Sequence, residues 1–274
     1  MGVSVEAAVR LGRGEPLVLL HDLGLTWHSW GRCVEALARR YEVWAPTLPG
    51  HWGGPAFVGA VTPTTMADLV EGQLDEAGLT RVHLAGNGFG AWIAAELADR
   101  GRAESLSLIA PLGLWRDDPV TSESVRTELS RRASVSSFLA HVRHPVLGPI
   151  TRRAAMRTLT GRSAPALLEL CAATDHRASI TAEAPSHCAI LGEMVRSREF
   201  ALGWYPRIDA SSAITVLTGE WDNLVHRPAR ELVPDGIVRA HHVLEHGHVP
   251  MLDDPDTITA HIHTRISGPY VRLR

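Results

Sequence analysis

Short runs of consecutive apolar residues alternate, along most of the chain, with longer stretches whose apolar positions recur every three or four residues. Residues 3–9 predict a weak opening strand, ended by Gly12-Arg13-Gly14. Residues 17–21 are a continuous apolar run, the pattern of a strand covered on both faces in a parallel sheet. Val34, Leu37 and Ala38 carry the helical spacing that predicts a helix over 30–40, and 41–46 predict the next strand. The glycine- and proline-rich segment 48–54 predicts a loop, followed by a helix over 64–77. Residues 82–85 are another short apolar run; a glycine-bracketed turn follows, and 91–98 return to helical spacing. A further strand is expected over 105–110.

Alternation of this kind implies an α/β fold, a mostly parallel sheet with helices on both faces. It breaks over 115–207, where the patterns are helical: 122–132, 135–142, 150–159, 164–173 and 180–200. It resumes with a strand at 213–218, a helix at 227–232, a strand at 237–244 and a last helix at 254–266. The expected organisation is one core, residues 1–114 and 208–274, with a helical lid of residues 115–207 inserted in it. A length of 274 residues fits one interrupted core better than two full domains.

Composition removes function classes without choosing one. Hydrophobic residues make up 45% and charged residues 21% of the chain, ordinary for a globular protein. A net charge of −3 gives no electrostatic case for nucleic acid or for an anionic membrane. All 27 basic residues are arginine, which removes lysine Schiff-base chemistry. Cys33, Cys171 and Cys188 are scattered, odd in number and without metal-ligand spacing, so they read as buried free thiols. The opening stretch lacks a basic segment followed by a long apolar one, and 16–20 is too short for a signal core or a membrane span. A cytoplasmic location is expected.

The candidate chemistry centres on Gly86-Asn87-Gly88-Phe89-Gly90, between a strand and a helix. That is the setting of the G-x-S-x-G nucleophile elbow, a sharp turn whose outer glycines let strand and helix approach closely. At its centre, where a serine, cysteine or aspartate would stand, this chain has Gly88. The nucleophile position is vacant, and acyl-enzyme chemistry there is excluded. A residue with a side chain at such a turn carries ~1–3 kcal/mol of backbone strain, which glycine relieves. The missing side chain is expected to open a little space beside the site histidine.

With these segments in place the chain resembles the α/β-hydrolase superfamily over nearly its full length. The resemblance rests on His21-Asp22-Leu23-Gly24, Leu48-Pro49-Gly50-His51, the elbow, Gly219-Glu220-Trp221-Asp222 and Gly247-His248-Val249-Pro250. It is to the lidded branch of esterases, enol-lactonases, proline iminopeptidase-like enzymes and cofactor-free haloperoxidases. It implies a triad order of position 88, Asp222 and His248, with Asp222 orienting the His248 imidazole. It also implies an oxyanion hole from the backbone N–H groups of Leu23 and Phe89. Trp27, Trp115 and Val249 are candidates for the substrate pocket. Each tryptophan also fits core or lid packing. Asp222-Asn223 is also ordinary turn chemistry after a strand. His248 is one of 15 histidines, set apart by its Gly-His-Val-Pro context. The groups His241-His242-His246-His248 and His261-His263 lack carboxylate or cysteine partners at ligand spacing, so no metal is expected. His21 and His51 read as structural.

Three functions fit an elbow without a nucleophile. The favoured one is a cofactor-free enzyme acting on a small or medium apolar carbonyl substrate. Its His248–Asp222 base and backbone oxyanion hole would run non-hydrolytic chemistry: a lyase, cyclase, elimination or isomerisation reaction. The second is an esterase- or lactonase-type serine hydrolase inactivated by replacement of serine at position 88. The third is a non-catalytic, ligand-binding pseudohydrolase. A small molecule is the only partner expected, with neither nucleic acid nor membrane; the oligomeric state is left open.

Overall fold

The structure is a computed structural model that describes residues 7–51, 53–59, 62–112, 127, 214–219 and 238–268. Its described strands are β1 (Ala8–Leu11), β2 (Pro16–Leu20), β3 (Glu42–Pro46), β4 (Val82–Asn87), β5 (Ala103–Ile109), β6 (Ile214–Gly219) and β7 (Val238–Leu244). The described helices are α1 (Gly31–Leu37), α2 (Pro63–Glu76), α3 (Phe89–Asp99), α4 (Pro250–Asp253) and α5 (Pro255–Ser267). The strands form one sheet in the order β1-β3-β2-β4-β5-β6-β7. β1 pairs antiparallel with β3, and the remaining pairs are parallel.

The apolar run of β2 is covered on both sides, and its residues sort by parity. Val18 and Leu20 join a core cluster with Met66, Val70 and Leu74 of α2 and Trp92 and Ile93 of α3. Leu17 and Leu19 join another cluster, with Val34 and Leu37 of α1 and Ile258 and Ile262 of α5. Successive strand side chains point to opposite faces, so one five-residue strand anchors both helix layers. α3 buries residues all round, including Ala91, Trp92, Ile93, Ala94, Ala95 and Leu97, the pattern of a helix enclosed in the core.

Helix starts follow local chemistry. α2 opens with Thr62 as N-cap and Pro63 just inside: Thr65 N–H donates to Thr62 Oγ1 at 3.1 Å and Thr62 N–H to Thr65 Oγ1 at 3.0 Å. Thr257 N–H donates to Asp254 Oδ1 at 3.0 Å where α5 begins. The Thr257 hydroxyl and N–H together hold that carboxyl below the usual carboxylate range.

Two element boundaries differ from expectation. Among the described residues the opening strand covers Ala8–Leu11, reaching past its expected end at Val9 along an antiparallel ladder to β3; residues 3–6 lie outside the described residues. The helix expected over 30–40 is α1 preceded by a 3₁₀ turn at Trp27–Trp30. The last helix, expected over 254–266, is α5 (Pro255–Ser267), and the short helix α4 precedes it. The lid of residues 115–207 and the helix at 227–232 lie outside the described residues, Thr127 excepted. Among the described residues no helix is long and apolar enough to cross a membrane.

Strand order reverses between β2 and β4. The chain leaves β2 for β3 on one side and returns to β4 on the other. In open parallel sheets such a switch point leaves a crevice at the carboxyl ends of the two strands, where ligands bind. Gly90 is what lets the two strand ends close up here. A Cβ on Gly90 would run into the Leu20 carbonyl and stand 2.5 Å from the His21 carbonyl oxygen. Gly90→Ala is therefore expected to cost ~1–3 kcal/mol in denaturant unfolding. Gly72→Ala, at an exposed position of α2 with nothing near its Cβ, is expected to stabilise by about 0.5–1 kcal/mol.

Candidate active site

Parallel pairing aligns β2 with β4 so that Leu20 stands beside Gly86. Two residues further along each strand end, Asp22 comes opposite Gly88. His21 holds the Asp22 end of that alignment to the loop after β3. Leu48 N–H donates to its Nε2 at 2.8 Å, so the ring proton is on Nδ1, which donates to the Asp22 carbonyl at 2.8 Å. One buried neutral imidazole thus ties the loop after β2 to the loop after β3.

The Asp22 carboxylate reaches into the elbow. Phe89 N–H donates to its Oδ1 at 2.6 Å, and His248 Nε2 lies 2.9 Å from its Oδ2. The pair is enclosed, with His248 2% and Asp22 8% exposed. Gly88 has φ +55° and ψ −113°, a backbone that side-chain-bearing residues rarely adopt. A Cβ there would overlap Asp22 Oδ1 and Cγ and stand 2.7 Å from Oδ2. The position expected to be vacant is filled. Glycine leaves room, and two attractions draw the carboxylate in. One is the unsatisfied N–H at the start of α3, where Gly88 supplies no capping side chain. The other is the imidazole.

His248 lies in the loop between β7 and α4. The elbow itself holds that loop: Asn87 Nδ2 donates to the His248 carbonyl at 2.9 Å and to the Ile109 carbonyl at 3.2 Å. Asn87 is fully buried, and its Oδ1 has no donor among the described residues. The Phe89 N–H expected in the oxyanion hole is already bonded to Asp22, while Leu23 packs partly buried against the α2–α3 side of the core. Trp27 stacks on the His28 ring, centroids 3.9 Å apart, and packs partly buried against the α1–α5 cluster, to which fully buried Val249 belongs. Asp222 and Trp115 lie outside the described residues.

A second serine–histidine–carboxylate alignment has no such setting. His83 Nδ1 is 2.8 Å from Ser105 Oγ, and its Nε2 is 3.6 Å from Glu15 Oε2. His83 lies five residues before Gly88 on β4, about 16 Å away at the usual strand rise. Ser105 is buried at 1% exposure, and burial lowers the His83 pKa, leaving a neutral ring that cross-links neighbouring strands.

A model of the alpha/beta hydrolase family matches residues 17–261. The chain belongs to that family. It is 47% identical over 66 residues to epoxide hydrolase EphH of Mycobacterium tuberculosis, covering 24% of this chain and 31% of that one. It is 39% identical over 124 residues to a pimeloyl-[acyl-carrier protein] methyl ester esterase of Aeromonas hydrophila, covering 43% and 46%. The chain thus spans less than half the length of these curated relatives. In fold it is similar to the 2-hydroxy-6-oxo-6-phenylhexa-2,4-dienoate hydrolase of a Rhodococcus species. That match has TM-score 0.71 and 18% identity, over 94% of this chain and 93% of that one.

Within the family fold, this site presents a carboxylate, an imidazole and a helix N-terminus where a serine hydroxyl would otherwise lie. Such a set can move protons, and a carboxylate can also attack an electrophile. Sequence reading placed Asp22 only within a loop motif and gave Asn87 and His21 no part in the site. The available signal was the pairing itself: a carboxylate two residues beyond one central strand, and a glycine two residues beyond its neighbour.

Overlap between Asp22 and any Cβ at position 88 generates a thermodynamic prediction. Gly88→Ala should cost both backbone strain and displacement of the carboxylate, whereas in an Asp22→Ala background only strain remains. A double-mutant cycle by denaturant unfolding should give a coupling of ~1–3 kcal/mol; additivity within about 0.5 kcal/mol would contradict the packing described.

Proposed function

We propose that this chain is a cofactor-independent hydrolase that uses the buried Asp22–His248 pair in place of an elbow serine. Its substrate is a small or medium apolar molecule entering at the switch point between β2 and β4. The observation carrying this reading is the carboxylate bonded at once to Phe89 N–H and His248 Nε2 in the space above Gly88. Names of relatives support water-adding chemistry, since epoxide hydrolases and an ester hydrolase are among them.

Position 88 contributes no covalent chemistry. Proton transfer falls to His248, which Asp22 charges and orients from the nucleophile side. An Asp222 carboxylate on the other ring nitrogen, as the family resemblance implies, would complete the support of the imidazole. Non-hydrolytic oxyanion chemistry, favoured by sequence alone, requires a free Phe89 N–H. With Asp22 Oδ1 on that donor, a substrate oxyanion competes with an internal carboxylate, which weighs the reading toward reaction at the pair itself. In a serine hydrolase disabled at position 88, Asp22 would have entered the space that the serine left, since a Cβ there and Asp22 in its present place exclude each other.

The test is hydrolysis of a panel of activated esters, lactones and epoxides by the parent, Asp22→Asn and His248→Ala. Each substitution is expected to lower kcat/KM on the order of 10²–10⁴-fold, the usual contribution of an acid–base group. Equal turnover by parent and Asp22→Asn would rule out the pair as the working site.

A further inference from the structure

We propose that His246 is a positioning residue for His248, acting through Asp254 at the start of α5. This rests on the reading of Asp22–His248 as the working pair.

His248 follows Gly247, and glycine is the residue whose backbone is least restrained by its own side chain. The direction of the His248 ring is therefore set by ties from outside its short loop. One tie comes from the elbow, where Asn87 Nδ2 donates to the His248 carbonyl at 2.9 Å. Another leaves the loop two residues earlier: His246 Nε2 lies 3.5 Å from Asp254 Oδ2. It closes a ring of residues 246–254 that contains His248 and all of α4. Asp254 is a firm anchor. Its Oδ1 accepts from Thr257 N–H at 3.0 Å and its Oδ2 from the Thr257 hydroxyl at 2.6 Å, which fixes the carboxylate to the first turn of α5. α5 is held to the core in turn by Ile258, Ile262 and Ile266. The Thr257 donors, with a smaller contribution from His246, keep the Asp254 carboxyl below the usual carboxylate range, so its charge persists. Residues 245–256 contain the carboxylates Glu245, Asp253, Asp254 and Asp256 and no arginine. The cation-capable side chains of the segment are its two histidines, and they divide: His248 faces Asp22, and His246 faces Asp254.

The weakness of this tie says what it is for. The His246 and Asp254 side chains are 23% and 35% exposed, and an ion pair so open to water contributes little to global stability. Placement of a reacting group is far more sensitive. Proton transfer needs heavy atoms roughly 2.6–3.2 Å apart, and a displacement of about 1 Å can cost on the order of 10²-fold in rate. A contact too weak to hold the fold can therefore still hold the 2.9 Å separation between His248 Nε2 and Asp22 Oδ2.

The test compares full-length parent with His246→Leu and with His246→Gln, whose amide nitrogen can stand in for the imidazole Nε2. In His246→Leu the His248 ring and Phe89 amide resonances should shift toward their positions in Asp22→Ala. On whichever activated ester, lactone or epoxide the parent hydrolyses, kcat should fall about 10-fold with KM unchanged, while the denaturant midpoint stays where it was. His246→Gln should restore both the resonances and kcat. Asp254→Asn keeps a capping side chain on α5 and should lower kcat as well, with no further fall when combined with His246→Leu. Unmoved His248 and Phe89 resonances in His246→Leu would overturn the proposal. So would a loss of kcat that comes with a lower midpoint and that glutamine does not rescue, since that is the mark of a merely structural contact. Resonances that shift as expected, in a protein whose turnover is equal in parent and Asp22→Asn, would support the tie and sink the proposed function alone.

Discussion

A Cβ at position 88 and the Asp22 carboxylate exclude each other from one small volume, and the rest of the site follows from which one occupies it. Here the glycine yields the space. A helix N-terminus without a local cap supplies the attraction from one side, and a buried imidazole supplies it from the other. Burying an ionised carboxylate without partners is costly, so the observed arrangement requires both. The elbow then presents an acid–base pair assembled from distant parts of the chain: Asp22 follows β2, and His248 follows β7.

Support for that pair is built into the sheet. Asn87 ends β4 and holds the His248 carbonyl, so strand and histidine loop are tied within the elbow. His21 holds the Asp22 carbonyl while accepting from Leu48 N–H, tying in the loop after β3. Gly90, by tolerating the Leu20 and His21 carbonyls, keeps α3 close enough for its first N–H to reach Asp22. None of these residues would touch substrate chemistry directly, yet each limits how far the carboxylate and imidazole can drift.

Much of this fold was legible in the sequence because apolar runs, helical spacing and glycine-bracketed turns are local signals. β2, β4 and the start of α3 are examples: a fully covered strand is apolar throughout, and α3 is apolar on nearly every face. The absence of a nucleophile at Gly88 was equally plain. What replaced it was not, because the replacement is a contact across two parallel strands separated by more than sixty residues. Composition and spacing carry no register between β2 and β4. Only the pairing of Leu20 with Gly86 brings Asp22 to Gly88. His21 was read as structural and makes two backbone contacts, but that its ring positions the carboxylate depends on a carbonyl that no sequence pattern reveals.

The Phe89 backbone amide reports most directly on whether the carboxylate occupies the elbow. A hydrogen bond of 2.6 Å to an ionised carboxylate should move that amide proton far downfield in a ¹H–¹⁵N spectrum. The predicted result is a Phe89 resonance that returns upfield in Asp22→Ala, while amides of β6 keep their positions. A Phe89 resonance identical in both proteins would contradict the account.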